Sequence, residues 1–457
     1  MNKLFLNTLC CVLFAAFSYG QTIQDLMDAV TEANLQTTVN EFSGAVSTTV
    51  GGNPVTITNR QQANNDLAAD YLVEQFMSMD NLTITDQAFN TNGRNIIATQ
   101  LGKTNPDDIY MICAHYDTVA DFCADDNATG TTAVLEIARI LSTQCFDNTI
   151  IYALWDEEEI GLRGSSHYAN LANTNGDNIL GVLNMDMMGY DGDSPGQPGD
   201  NEFDIDVRNF ANSIAMKDDI IDVLNAYTFD LSVIVVDPGT AASDHASFWG
   251  NGYSAVLVGE SWETNDQTPF YHTSGDVAST LDYPYFTEMT KLVLAYTATK
   301  GSLVAVDNTV TQTPTMLTSN QSSATYQWYD CDTDTAIAGE TGQSLTVTSN
   351  GVYRVEVTIG TCTEVSDCIV FDTLSTEEFE TNEITIFPNP VSDSININTP
   401  LTDDLKFKLI DVSGKVILTT ESDRQNTSID VSKLASGVYF LSISTSEKSG
   451  LFKIVKE

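Results

Sequence analysis

The chain has 457 residues, of which 63 are Asp or Glu and 19 are Lys or Arg, giving a formal net charge of -44. Such acidity excludes nucleic acid and anionic membranes as partners, because both repel negative charge. The length exceeds one ordinary core and predicts two or more domains. The excess of acids also allows loosely bound structural Ca²⁺, although a generally acidic surface explains it equally well.

The first twenty residues have the pattern of a secretory signal peptide. Lys3 gives a positive start, an apolar stretch runs from Leu4 to Phe17, and Ser18-Tyr19-Gly20 forms a short cleavage region. The signal therefore spans residues 1–20, and the mature chain is expected to begin near Gln21. No later run reaches ~18 apolar residues, so no transmembrane segment is predicted.

Six of the eight cysteines lie beyond this signal. They are Cys113, Cys123 and Cys145 in the first part of the chain and Cys331, Cys362 and Cys368 in the later part. Because each part holds three, at least one cysteine in each is unpaired unless a bridge crosses between them. The sequence therefore predicts no connectivity.

Residues 21–302 show strands that alternate with helices. Helical spacing covers much of 22–77, interrupted by a polar loop at 51–54, and further helices are predicted at 128–141 and 285–299. The predicted strands are Leu82–Thr85, Asn95–Thr99, Ile109–Cys113, Ile150–Trp155, Ile179–Met185, Leu231–Val236 and Ser254–Val258. This alternation predicts an α/β fold with a mainly parallel sheet flanked by helices.

After residue 302 the composition changes to short alternating runs rich in Ser and Thr. Residues 303–372 predict a small β-sandwich with Trp328 in its core, and this module resembles Ig-like modules. A linker at 373–383 precedes a last β-rich domain at 384–457. The sequence thus predicts an α/β domain followed by two small all-β domains.

Polar residues that can bind metal ions follow several strands of the α/β domain. They are His115 and Asp117, then Asp126 before a helix, then Glu158, Glu159 and Asp186, and finally Tyr271 and His272 in a later loop. Because parallel strands end at one edge of a sheet, these residues can converge. Two imidazoles and three carboxylates suit two zinc ions that share one carboxylate, with water completing each coordination sphere.

Other polar residues near these strand ends are interpreted as structural. Asp125 and Asp156 are expected to be solvated or to cap helices, and Glu157 is placed outside the site. Ser243, Asp244 and His245 cannot form a catalytic triad, because a triad is assembled from separated elements. We expect this run to support the site from nearby.

Five segments at these positions carry a family resemblance. They are AHYD, DDNATG, DEEEIGLRGS, NMDMMG and YHTSGD, in this order. Together they resemble the dizinc aminopeptidases of the bacterial leucyl and streptomycete aminopeptidase type, over roughly residues 25–300. The resemblance implies a zinc exopeptidase fold with two zinc ions per chain. The implied ligands are His115, Asp126 as the bridging carboxylate, Glu159, Asp186 and His272.

The resemblance also implies the chemistry of a secreted metallo-aminopeptidase that hydrolyses N-terminal residues from peptides with a free N-terminus. Glu158 becomes the general base, Asp117 orients His115, and the Tyr271 hydroxyl helps to hold the developing oxyanion. The family's cis peptide would follow Asp126 here.

Two alternatives stay open from the sequence. One is a glutaminyl cyclase-like enzyme on the same fold, which uses a single zinc ion, and zinc stoichiometry would distinguish it. The other is a non-catalytic surface or adhesion protein, which the complete set of ligand candidates with Glu158 argues against. Carboxypeptidase or dipeptidase specificity on this fold also stays open.

The last domain carries a second resemblance. The segments IFPNP, DVSGK, LASGVY and the ending KIVK resemble the C-terminal sorting domain used by type IX secretion in Bacteroidota, over nearly all of 384–457. This implies contact with the type IX secretion machinery and export through the periplasm and outer membrane. The protein is then expected to be secreted or attached to the cell surface.

Overall fold

The computed structural model describes residues 22–61, 65–192, 199–360, 362–372, 377–379, 383–401, 404–412, 415–422, 425–445 and 448–457. The predicted signal at 1–20 lies outside these residues, as does most of the predicted linker. Among the described residues, none of the helices has the length and apolar character needed to span a membrane.

An eight-stranded sheet organises the region from 22 to 302, which we call the α/β region. Its strands are β3 (Thr83–Ala88), β4 (Arg94–Gln100), β5 (Asn105–His115), β6 (Asn148–Trp155), β7 (Ile179–Met185), β8 (Glu202–Asp206), β9 (Ser232–Val236) and β10 (Ala255–Glu260). The spatial order is β3-β4-β6-β5-β7-β10-β8-β9. The central strands β6, β5, β7 and β10 are parallel to one another, whereas β4 and β8 run antiparallel to this core.

Helices cover both faces of this sheet. They are α1 (Ile23–Asp28), α2 (Glu32–Phe42), α3 (Asp66–Met77), α4 (Gly130–Leu141), α5 (Arg163–Asn175), α6 (Ser213–Ala226), α7 (His245–Trp249) and α8 (Tyr283–Gly301). Residues of α5 and α7 pack into one apolar cluster, and the other helices pack into a larger one. The predicted α/β class with helices on both sides is therefore confirmed.

The local structure follows the sequence pattern in most places. Every residue of β6 after Asn148 is buried, as a continuous run of β-branched and aromatic residues predicts for a central strand. The polar loop expected at 51–54 is instead the turn of a short hairpin between β1 (Thr48–Val50) and β2 (Asn53–Val55). Gly51 and Gly52 both adopt positive φ there, and glycine does so at little cost.

Arg60 is wholly buried in the α/β region. Its guanidinium donates hydrogen bonds to the carbonyl oxygens of Phe42, Tyr116, Phe122 and Cys123, at 2.8–2.9 Å. These acceptors belong to the end of α2 and to the loop that follows β5. One side chain thus joins the N-terminal helices to the loop that leads to Asp126.

The residues after 302 form small, almost entirely antiparallel sheets. The strands of the middle β region are β11 (Val310–Gln312), β12 (Met316–Ser319), β13 (Thr325–Asp330), β14 (Thr335–Ala336), β15 (Ser344–Thr346), β16 (Gly351–Ile359), β17 (Cys362–Val365) and β18 (Ile369–Phe371). Trp328 is fully buried in its core, as expected. A disulfide joins Cys331 to Cys368 in this region, a pairing that the sequence could not specify.

The terminal β region packs around a separate apolar cluster. Its strands are β19 (Glu377–Glu378), β20 (Thr385–Phe387), β21 (Ser394–Asn398), β22 (Leu405–Asp411), β23 (Val416–Ser422), β24 (Asn426–Asp430), β25 (Gly437–Ser444) and β26 (Lys448–Lys456). The alternating burial along β22 matches its alternating apolar residues. These β-rich parts agree with the predicted fold class.

Candidate metal centre

The predicted ligand residues meet at one edge of the central sheet. His115 is the last residue of β5, Asp186 directly follows β7, and Glu159 lies in the turn after β6. Asp126 lies in the helical turn Ala124–Thr129 that precedes α4, and His272 lies in the loop after β10. The parallel arrangement of β6, β5 and β7 therefore brings together residues that are distant in sequence.

These residues form two clusters that share Asp126. In the inner cluster, His115 Nε2 lies 3.4 Å from Asp126 Oδ1 and 3.4 Å from Asp186 Oδ1. In the outer cluster, His272 Nε2 lies 3.3 Å from Asp126 Oδ2 and 3.2 Å from Glu159 Oε2. The two oxygen atoms of Asp126 thus face different clusters, as a bridging carboxylate requires.

The donor set fits divalent cations. Glu159 Oε1 and Asp186 Oδ1 are buried, and neither accepts a hydrogen bond within the described part of the chain. Burial raises the pKa of Glu159 to about 8, and the negative charge of Asp126 adds to this effect. Buried carboxylates that face one another without cations are unfavourable, whereas mixed imidazole and carboxylate donors suit zinc.

The imidazole of His115 contacts Asp117 through its Nδ1 atom. Its Nδ1 lies 3.2 Å from the Asp117 carbonyl oxygen and 3.6 Å from Asp117 Oδ1, which leaves Nε2 facing the inner cluster. The Asp117 carboxylate also accepts hydrogen bonds from the backbone N–H groups of Glu158 and Glu159. Asp117 therefore links His115 to the acidic turn after β6.

Glu158 lies beside both clusters and lines a cleft of about 580 Å³ with them. The pKa of its carboxyl is raised to about 10, mainly by burial; His115 opposes this shift, and the negative charges of Asp244, Asp186 and Glu159 contribute to it. Cations in the clusters would lower this pKa towards the range of a general base. Tyr271 also lines the cleft and stacks on His272, with 3.7 Å between ring centroids.

Asp125 and Asp156 are neither solvated nor the side-chain caps of the neighbouring helices, so this expectation was wrong. Asp125 is fully buried and accepts hydrogen bonds from Gly189 N–H and the Thr129 hydroxyl. Asp156 is fully buried and accepts from the Asn65 amide and Arg94 N–H. Both carboxylates fix backbone segments around the centre, a role that depends on contacts distant in sequence.

Several supporting residues were missed or incompletely described from the sequence. Asp276 accepts hydrogen bonds from the backbone N–H groups of Asp125 and Asp126, at 2.8 and 3.0 Å. Asp276 is the last residue of the YHTSGD segment, so its place in this motif could have marked it as part of the site. Ser243 donates a hydrogen bond of 2.6 Å to Asp186 Oδ2, which gives the predicted supporting role of the Ser243 run a specific contact.

The peptide bond between Asp126 and Asn127 is cis, as the family resemblance implied. The Asn127 side chain donates to the Met185 carbonyl oxygen and accepts from Gly130 N–H. These contacts tie the segment that carries Asp126 to β7 and to the start of α4. The Asp126 segment is thereby held against the end of the strand that precedes Asp186.

Fold and site together define the class: an α/β protein with a candidate two-metal centre at the carboxyl ends of its parallel strands. Comparison with known proteins shows which families two parts of the chain resemble. Residues 95–297 match the model of Peptidase family M28, and residues 385–457 match that of a secretion system C-terminal sorting domain. The chain thus combines a region similar to Peptidase family M28 with a region similar to a secretion system C-terminal sorting domain.

Individual relatives agree with this assignment. Leucine aminopeptidase 1 of Trichophyton equinum is 33% identical over 218 residues, which cover 44% of this chain and 56% of that protein. A probable zinc metalloprotease of Leptosphaeria maculans is 26% identical over 239 residues, which cover 44% of this chain and 56% of that protein. The chain therefore spans about half the length of the curated relatives it matches.

A solved structure also supports the fold. The LapA aminopeptidase of Legionella pneumophila superposes with a TM-score of 0.52 at 19% identity. The match covers 62% of this chain and 76% of that structure. At this identity the likeness concerns the fold alone.

Proposed function

We propose that the protein is a secreted aminopeptidase that uses two zinc ions to hydrolyse the N-terminal residue of peptides. The observation that carries this proposal is the pair of clusters that share Asp126, with Glu158 beside them in the same cleft. The Peptidase family M28 match and the relatives described as aminopeptidases support it.

Each residue of the centre has a defined part in this proposal. His115, Asp126 and Asp186 would hold one zinc ion, and Asp126, Glu159 and His272 the other. When bound, the zinc ions lower the pKa of water and polarise a carbonyl oxygen. Asp117 and Ser243 hold two of these ligands in place through their hydrogen bonds to His115 and Asp186.

Glu158 would move the proton in the reaction. It would take a proton from the attacking water and give it to the amine that leaves, as a general base and then a general acid. Tyr271 would donate its hydroxyl hydrogen to the oxygen on which negative charge develops. Carboxylates along the cleft would attract the free α-ammonium of the substrate, which distinguishes an aminopeptidase from an endopeptidase.

The domain limits and the destination of the protein are part of the same proposal. Residues 21–302 would form the catalytic domain, 303–372 an Ig-like module, and 373–383 a linker to the sorting domain at 384–457. The sorting domain matches over 385–457, and we propose that it engages the type IX secretion machinery. The product would be released or attached to the cell surface.

Structural calcium stays a prediction. Asp191, Asp200 and Asp266 bring carboxylate oxygen atoms within 4.8 Å of one another. Oxygen donors alone suit calcium better than zinc. A group of acids by itself does not define a cation site, so the proposed function does not depend on it.

The test is a substrate panel with the purified full mature chain. Aminoacyl chromogenic substrates with free and with blocked amino groups would be compared before chelation, after chelation, and after zinc is restored. We expect cleavage of the free-amine substrates only, lost with the chelator and recovered with zinc at two ions per chain. Equal cleavage of blocked substrates, or full activity with one zinc ion, would overturn the proposal.

A further inference from the structure

Two thiols outside the metal centre meet where the α/β region adjoins the middle β region. Cys113 and Cys123 are buried within the α/β region, and Cys331 is already paired with Cys368. Of the cysteines that the structure describes, this leaves Cys145 and Cys362, which belong to different regions of the chain and yet lie side by side.

Cys145 lies in the connection between α4 and β6. Its carbonyl oxygen accepts a hydrogen bond of 2.9 Å from Val304 N–H, and the adjacent Phe146 pairs with Leu303. The Cys145 side chain packs against the apolar cluster of the middle β region. It is therefore fixed at the point where the chain leaves the α/β region.

Cys362 belongs to the middle β region and lies near Cys145. It is the first residue of β17, pairs with Ile359 of β16, and is 1% exposed. Cys145 packs against the same apolar cluster, and its thiol is a neighbour of the Cys362 thiol. Lys103 and Asp147, both of the α/β region, are charged neighbours of this thiol.

We propose that Cys145 and Cys362 form a disulfide that fastens the middle β region to the α/β region in the exported protein. The biological setting rests on the proposed secretion, because disulfides form and persist in oxidising compartments. The two cysteines are separated by 217 positions in sequence, so neither could be paired from spacing alone.

The bond would form by exchange with the disulfide of a thiol–disulfide oxidoreductase. Cys145 is only partly buried; its thiolate attacks one sulfur of the oxidant after losing a proton to solvent, and the oxidant's other sulfur leaves as a thiolate. Cys362 then loses its proton and attacks the Cys145 sulfur, releasing the oxidant's second thiolate. Two protein thiols are oxidised, and one disulfide is reduced to two thiols.

The surroundings of the two cysteines support this order of reaction. Burial raises the pKa of the Cys362 thiol to about 12, and the neighbouring Cys145 thiol adds to the shift. A thiol with a high pKa is a poor first nucleophile. Cys145 is therefore the entry point for the oxidant.

The test counts thiols and maps the link in the full mature chain. The reduced protein is equilibrated in a mixture of oxidised and reduced glutathione, then denatured and alkylated without reductant. We expect two alkylated cysteines, Cys113 and Cys123, and a non-reduced peptide that joins Cys145 to Cys362. Six alkylated cysteines are expected after full reduction. Four alkylated cysteines in the oxidised sample, with no joined peptide, would overturn the proposal.

Variants separate this link from other pairings. Cys145→Ser should leave three alkylated cysteines in the oxidised sample, because Cys362 becomes free, whereas Cys113→Ser should leave one and keep the joined peptide. A joined peptide that contains Cys113 or Cys123 would contradict the assignment. None of these readouts depends on zinc or on peptidase activity. The disulfide can therefore be disproved while the proposed peptidase function stands, and the peptidase function can be disproved while the disulfide stands.

Discussion

The inner and outer clusters of the candidate centre are built on different kinds of structure. The inner cluster takes His115 and Asp186 from the ends of two central strands, and the His115 side chain is 2% exposed. The outer cluster takes His272 from a surface loop, and this side chain is 39% exposed. Buried strand ends fix a ligand through the sheet, whereas a loop ligand depends on its few local contacts.

Supporting contacts show the same difference. His115 Nδ1 contacts the Asp117 carbonyl oxygen, and Asp186 accepts a hydrogen bond from Ser243. The ring of His272 stacks on Tyr271, a side chain that is itself 42% exposed. We therefore expect the inner cluster to bind its cation more tightly and to exchange it more slowly than the outer one.

The shared carboxylate gives the largest expected effect. Asp126→Asn removes a negative charge that faces both clusters, so zinc should be lost from both. We expect zinc affinity to fall by more than about 100-fold, since even residues behind the ligands typically contribute 10–100-fold. Zinc content after gel filtration and peptidase activity measure this. Retention of two zinc ions per chain would show that Asp126 does not bridge them.

Glu158 tests the chemistry while leaving both clusters complete. Glu158→Gln keeps the shape of the side chain but removes its ability to accept a proton, so the turnover number should fall by roughly 10²–10⁴-fold. Zinc content should stay at two per chain. Glu32→Gln, at the exposed start of α2, is the matched control and should keep full activity. Unchanged turnover in Glu158→Gln would rule out this residue as the general base.

Substitutions of His115 and His272 test the difference between the inner and outer clusters directly. His272→Ala should leave one zinc ion, bound in the inner cluster. His115→Ala should weaken the inner cluster, so that the more tightly bound zinc ion is lost. Tyr271→Phe is the control for His272, because it keeps the stacked ring and should keep both ions. Chelator competition measures the release of each ion. Equal release rates from both clusters in the unmodified protein would contradict the difference proposed here.

The pH dependence of stability gives the smallest expected effect. The pKa values of Glu159 and Glu158 are raised to about 8 and about 10, mainly by burial, so the zinc-free folded state binds more protons than the unfolded state above pH ~4.5. The zinc-free protein should therefore lose stability as pH rises from 6 to 9. Urea unfolding at both pH values measures this loss.

Zinc should reduce the loss, because cations favour the charged carboxylates. Glu158→Gln should reduce it in the zinc-free protein as well, since one of the two raised pKa values is removed. An unfolding free energy that rises with pH in the zinc-free protein would contradict these assignments.

The sequence predicted the parts of the site that follow directly from strand ends. His115, Glu159 and Asp186 were proposed as ligands because buried apolar runs stop at polar residues, and the order of the motifs joined them to Asp126 and His272. The burial of Asp125 and Asp156 was not predicted, because their partners, such as Gly189 and Asn65, lie far away in sequence. Short acidic runs look solvated until the fold supplies those donors.

The fold was predictable to a similar extent. Alternating strands and helices indicated the α/β class, but not that β8 would join the sheet antiparallel to β10. The hairpin at 48–55 was missed because its strands have only three residues each, too few to show a period. Disulfide pairing was also beyond the sequence, since three cysteines in each part allow several connectivities.

Arg60 has a consequence for how the protein can be processed. Its guanidinium binds the carbonyl oxygen at the end of α2 and three carbonyl oxygens in the loop that leads to Asp126. A charged group buried this deeply is costly without its acceptors. Proteolytic trimming that extended past Phe42 would remove one acceptor and loosen that loop. The N-terminal helices therefore set a limit on trimming: a cut near Gln21 would leave all four Arg60 contacts intact, whereas a cut beyond Phe42 would remove one of them.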